Sequence, residues 1–123
     1  MGTLEMLLKA DKEKFKVADK KINIKRLSEE LGEEVVFTIK HLSLDKINEI
    51  RESNSEDVTV HMVIEAVKEP SFKSKELMEK YDAITPVDLI NKILLPGEIE
   101  EIYILLSKMN GYRKETIEEI KKK

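Results

Sequence analysis

No cysteine occurs in the 123 residues, which excludes disulfides, thiolate metal sites and thiol catalysis together. Tryptophan is absent too, and Phe and Tyr supply the whole aromatic content of 5%. The interior must therefore be built from Leu, Ile, Val and Met, which suits packed helices. Four glycines and three prolines are too few for a linker or a low-complexity tract. Gly2, Gly32, Gly97 and Gly111 are scattered and form neither GxGxxG nor a Walker-type phosphate cradle. The longest unbroken apolar run, Ile102 to Leu106, is far too short to span a bilayer, and "MGTLEMLLKADKEKF" lacks the pattern of a signal peptide. The chain is accordingly expected in the cytoplasm where it is made, without a membrane partner.

What the chain does have is charge. Charged residues make up 38% of the sequence, with a net charge of −3. That small sum hides an asymmetry. Residues 9–26 hold eight basic side chains against three acids, a local +5, which leaves −8 for the rest. Only Phe15 interrupts this stretch as an aromatic, and arginines do not cluster in it, so nucleic acid is not the expected partner; a small nucleic-acid-binding regulator stands as an alternative. Opposite charge at the two ends of neighbouring copies favours head-to-tail self-association.

Periodicity places the elements. "TLEMLLKA" sets Leu4, Leu7 and Leu8 on one helical face with Thr3 as N-cap, followed by a charged, aperiodic joint. "KKINIKRL" and "EVVFTIKHL" alternate as strands, the second with Val35, Phe37 and Ile39 on one face, and Gly32 in the connection predicts a β-hairpin. Ser43 caps a helix ending near Asn54, with Leu42 and Ile47 in the staple positions around the cap. "SEDVTVHMVIEAVKEP" keeps helical spacing through Val60, Val63, Ile64 and Val67 up to Pro70. "FKSKELMEKYD" predicts a short helix with Leu77, Met78 and Tyr81 along one side. Thr85, Pro86 and Asp88 mark the next helix start, and a last helix runs from about Gly97 to Met109.

The resulting fold class is α+β and mainly helical. An N-terminal β-hairpin packs on a bundle of four to five short helices ending in an αα-hairpin. The organisation expected is a tethered amphipathic helix and joint over residues 1–19, a domain over 20–112 and a charged flexible tail over 113–123. In "LLPGEIEEIY", Pro96 and Gly97 read as the joint of the αα-hairpin, with Pro96 ending one helix and Gly97 turning the chain.

Chemistry for catalysis is missing. His41 and His61 stand twenty residues apart in different elements, without ligands at metal-site spacing, and read as ordinary structural histidines. Glu98, Glu100 and Glu101 read as the wet face of an amphipathic helix. No catalytic, cofactor or metal residues are assigned. The candidate contact residues are apolar instead: Leu4, Leu7 and Leu8 on the tethered helix, with Ile104 and Leu105 on the last one. At about 100° per residue, Ile104 falls between Glu100 and Lys108, opposite the stripe of Ile99, Ile102, Tyr103, Leu106 and Met109.

An ordered series of segments carries a family resemblance: Phe37 to Leu42, Glu49 to Arg51, Pro70, Glu76 to Tyr81, Thr85 to Leu89, Leu94 to Ile99 and the Gly111–Tyr112 pair. With "LLPGEI" near its end, this series over residues 20–112 resembles the tail assembly chaperones of PBSX-like prophages and contractile-tail bacteriocins, the XkdN-like family. The resemblance implies a non-enzymatic protein of the bacterial host's cytoplasm. It would bind the long helical tape measure protein, keep it soluble, help recruit tail tube protein and leave before the particle is mature. Many such chaperones are also made in a longer, frameshifted form. A structural component retained in the tail or head-tail junction is the alternative.

Overall fold

The structure, a computed structural model, describes residues 2–54, 56–112 and 115–120. Among them are seven α-helices, a 3-10 turn and one three-stranded sheet. The fold is α+β and mainly helical, as the patterning predicts, with several elements placed differently.

Strand β1 (Lys20–Asn23) pairs antiparallel with β2 (Val36–Ile39), Ile22 standing opposite Phe37. Along β2 the alternation holds: Phe37 and Ile39 are buried while Val36 and Lys40 face water. The connection is not a tight turn. It contains helix α2 (Lys25–Leu31), which takes residues from both the expected strand and the expected loop. Ile24, Leu27 and Leu31 have helical spacing, and Gly32, at φ 73°, is the left-handed C-cap rather than a hairpin turn residue. Ser28 closes the unit: its hydroxyl accepts from Val35 N–H at 2.8 Å.

Helix α3 (Leu44–Ser53) begins as expected, with the Ser43 hydroxyl accepting from Lys46 N–H and both Leu42 and Ile47 buried. It ends at Asn54, whose φ of −138° is not left-handed. Helix α4 (Val58–Ala66) stops short of the helix expected up to Pro70, because Val67 to Glu69 form a third strand, β3. β3 adds antiparallel to β2, with Ile39 opposite Val67, giving the order β1-β2-β3. Two forces combine here. Pro70 disfavours helix at the residue before it, and the free edge of β2 offers backbone partners.

α4 is the centre of the helical layer. Met62, Val63, Ile64 and Ala66 are all buried, so it is apolar nearly all round, as a helix covered on several sides must be. It packs against α3, helix α6 (Pro86–Ile93) and helix α7 (Pro96–Met109). Phe37 and Phe72 meet edge-on at 5.9 Å between ring centroids where the sheet joins this core. Helix α5 (Lys75–Lys80) supplies half-buried Leu77 and Met78, while Tyr81 is its exposed C-cap. Lys92 on α6 donates to the carbonyls of Tyr81 and Asp82, tying the end of α5 to α6.

α6 starts as its cap predicts, with Pro86 first and the Thr85 hydroxyl accepting from Asp88 N–H at 3.1 Å. The joint that follows is corrected. α6 ends at Ile93, and the bend is made by Leu94 and Leu95, both in extended conformation. Pro96 is the first residue of α7, where its missing N–H has no cost, and it forces Leu95 out of the helical region. Gly97 lies inside the helix and turns nothing. The two helices are not folded face to face on each other: each packs more extensively on α4. At the far end, Gly111 at φ 86° closes a Schellman motif, with Tyr112 N–H donating to the Ser107 carbonyl at 2.8 Å.

Helix α1 (Thr3–Lys9) stands apart, capped by Gly2 rather than by Thr3 and burying no residue. A 3-10 turn (Lys12–Phe15) follows in the joint, and it too buries nothing. Residues 115–120 are exposed and without regular structure; residues 113–114 and 121–123 of the expected tail lie outside the described residues.

Candidate partner-binding surface

α7 is positioned at both ends by polar contacts to the N-terminal half of the chain. At its start, the Arg26 guanidinium on α2 makes a two-point pair with Glu98: Nη2 to Oε1 at 2.8 Å and Nε to Oε2 at 3.2 Å. The same Nη2 donates to the carbonyl of Ile93 at 2.8 Å, and Glu98 accepts from Leu95 N–H at 2.7 Å. One arginine and one glutamate thus serve a helix end, a helix start and the bend between them. The Arg26 hydrogen bond holds the Glu98 carboxyl below the usual carboxylate range; burial opposes this and the Leu95 N–H assists. Glu98 in turn holds Arg26 in its charged form.

At the other end, Asn110 pairs with the backbone of Leu42 as a strand neighbour would. Its Oδ1 accepts from Leu42 N–H at 3.2 Å and its Nδ2 donates to the Leu42 carbonyl at 2.6 Å. Sequence reasoning missed both anchors. For Arg26 a signal existed: it is the one arginine among seven lysines in residues 9–26, and planar two-point pairing is what Arg does and Lys cannot.

Held this way, α7 presents a groove on each flank. One, of 490 Å³, is lined by Val60, Pro96, Ile99, Tyr103 and Ile104, with Glu100 at its edge. The other, of 440 Å³, is lined by Ile22, Ile24, Ile102 and Leu105, with Glu98 and Glu101. The angular logic is simple. Ile99, Glu100, Tyr103 and Ile104 centre about 180° from Glu98, Glu101, Ile102 and Leu105 at about 100° per residue. The candidates Ile104 and Leu105 are therefore neighbours in sequence but belong to opposite grooves. Both are half-buried, and only Leu105 packs against the core.

Leu4, Leu7 and Leu8 are 71%, 59% and 75% exposed. Their helix brings them together on one face, and neither Ile104 nor Leu105 shares a groove with them; among the described residues none buries them. Pro96 lines the Ile104 groove, and Gly97 has open space around it.

Other chemistry is sparse. Among the described residues no group of three His, Asp or Glu side chains could hold a metal ion. His41 is exposed after β2 and His61 is half-buried on α4. Glu65 is pushed up by burial, but its pair with Lys73 outweighs this and leaves the carboxyl lowered. No described helix is long and apolar enough to cross a membrane. The surface offers hydrocarbon-lined grooves with charged edges on both flanks of α7.

The model of the phage XkdN-like tail assembly chaperone protein family matches residues 52–121. The chain is also similar to the crystal structure of the protein YqbN, with a TM-score of 0.63 and 25% identity over 78% of this chain and 88% of that one. A search of curated proteins finds no match. The family match takes in α4 to α7, and with them the whole lining of the Ile104 groove but only the α7 side of the Leu105 groove; the chain belongs to the phage XkdN-like tail assembly chaperones.

Proposed function

We propose that the protein binds helical segments of the tape measure protein, keeps that protein soluble and promotes tail tube assembly around it. It would act in the bacterial cytoplasm and be absent from the finished particle. The observation that carries this reading is the pair of apolar grooves flanking α7. An amphipathic helix seats its apolar stripe in such a groove through aliphatic contacts that adapt in shape and demand little sequence. The side chains on offer are Ile104 and Leu105, one in each groove, and Leu4, Leu7 and Leu8 on α1. Membership of a chaperone family implies a non-enzymatic role. The grooves supply binding area without a constellation of reactive groups.

Co-expression tests it. The tape measure protein is expected to become more soluble and to co-purify with this chain, while mass spectrometry of purified particles finds the chain missing. A tape measure protein that stays insoluble and unbound would remove the reading. A chain recovered in stoichiometric amount from mature tails would make it a structural component instead.

A further inference from the structure

α1 presents a physical problem. A helix of seven residues is well below the length that persists alone in water, and this one buries none of its leucines. Its stability must come from a surface that covers Leu4, Leu7 and Leu8. We infer that this surface is the Ile104 groove of a second copy, so that the protein associates head to tail, α1 of each copy seated on α7 of the next.

Three observations choose that groove and that occupant. The first is charge. α1 continues into Lys9, Lys12, Lys14 and Lys16. The Ile104 groove is lined by no lysine or arginine among the described residues and carries Glu100. Glu56 and Asp57 precede the α4 residues Thr59 and Val60 that line it. The Leu105 groove, by contrast, already contains Lys25 and Arg26.

The second is length. From Pro96 to Ile104 the groove follows about 12 Å of helix, and α1 is about 10 Å long at 1.5 Å per residue. Leu4, Leu7 and Leu8, at i, i+3 and i+4, form one continuous face over that span.

The third is the tether. α1 leads through residues 10–19 into β1, and β1 borders the Leu105 groove. The Ile104 groove is on the opposite flank of α7, so a chain's own α1 would have to cross that helix to reach it. A neighbouring copy meets no such obstacle. An interface of this kind is heterologous: an open assembly keeps one free α1 at one end and one free groove at the other until it closes or is capped. The Leu105 flank stays open for another helix.

The purified full chain alone tests this, so its outcome is separate from tape measure binding. Sedimentation velocity over a concentration series is expected to show mass rising above the 14.3 kDa of one chain. Combined Leu4→Glu, Leu7→Glu and Leu8→Glu substitution is expected to weaken association more than about a hundredfold, and Ile104→Glu more than about tenfold. The decisive sample is the mixture. At a concentration where each variant alone is monomeric, the leucine variant keeps its groove and the Ile104 variant keeps its α1, so together they form a one-to-one dimer that grows no further. Glu100→Lys, a change at an exposed position, is expected to weaken association with circular dichroism unchanged, which guards against a misfolded Ile104 variant. Wild type that stays monomeric at every concentration, a leucine variant that still self-associates, or a mixture that remains two monomers would each overturn the proposal.

Discussion

Arg26 and Glu98 are seventy-two residues apart in sequence and joined at two points, the shorter 2.8 Å. The pair ties the first turn of α2 to the first turn of α7, and through the Ile93 carbonyl it also ties down the end of α6. This is the contact that orients the grooved helix relative to the sheet. Because the Glu98 carboxyl is held below its usual range, the contact makes stability depend on pH in a defined direction.

A carboxyl whose folded pKa is depressed contributes stability above its unfolded value, near 4.3, and loses it as pH falls through the folded value. Glu98→Gln is therefore expected to be less stable than wild type at neutral pH. The gap between the two should close below about pH 4. Urea denaturation of both proteins across that range checks this; a gap that is constant with pH would show that the charge of Glu98 carries none of the stability.

Asn110→Ala leaves the N–H and carbonyl of Leu42 without their partner at a half-buried site. Loss of about 1–3 kcal/mol is expected, the usual consequence of stranding buried polar groups. Hydrogen exchange at Leu42 should accelerate in parallel. A variant as stable as wild type would mean that water replaces the amide without loss.

Gly97 and Gly111 are expected to respond to alanine with opposite signs. Gly97 is inside α7 with ordinary φ and nothing within 4 Å of an added Cβ, so Gly97→Ala should stabilise by about 0.5–1 kcal/mol. Gly111 has equal space but φ 86°, so Gly111→Ala should destabilise by about 1 kcal/mol through backbone strain alone. Thermal melts of the two variants decide it. If Gly97→Ala destabilised the protein, the glycine would be acting as the hinge that the Pro-Gly pair suggests at first sight.

These contrasts mark what was legible in the sequence. α3 and α6 were readable because their starts are local: Ser43, and Thr85 with Pro86 and Asp88, cap within one turn. The angular reading of Ile104 was equally local, but it set that side chain opposite Ile99 and Tyr103, whereas all three line one groove. α2 was missed because Ile24 continues the alternation begun by Ile22, and only the pairing of β1 with β2 shows that the strand stops at Asn23. β3 was missed because Val67 continues the helical spacing, and its partner Ile39 on the free edge of β2 is 28 residues away. Pro96 was assigned to the wrong side of the bend, since a proline can follow one helix or begin the next. Arg26 with Glu98 and Asn110 with Leu42 are products of tertiary approach and leave no periodic trace.

The division proposed for the chain, a tethered helix, a domain over 20–112 and a tail, makes a last prediction. α1 and the turn Lys12–Phe15 bury nothing, and residues 115–120 are exposed. Among the described residues, the one ion pair between the joint and the domain, Asp19 with Lys68 at 3.1 Å, is exposed on both sides and contributes at most about 1 kcal/mol. A fragment of residues 20–112 keeps the sheet, both anchors of α7 and both grooves. It is therefore expected to unfold within about 1 kcal/mol of the full chain, with an unchanged denaturant slope because the same surface is exposed. The comparison belongs at low protein concentration, where association adds nothing to the full chain. A fragment much less stable than that, or with a shallower slope, would mean that α1 or the tail packs on its own domain, and head-to-tail exchange of α1 would lose its premise.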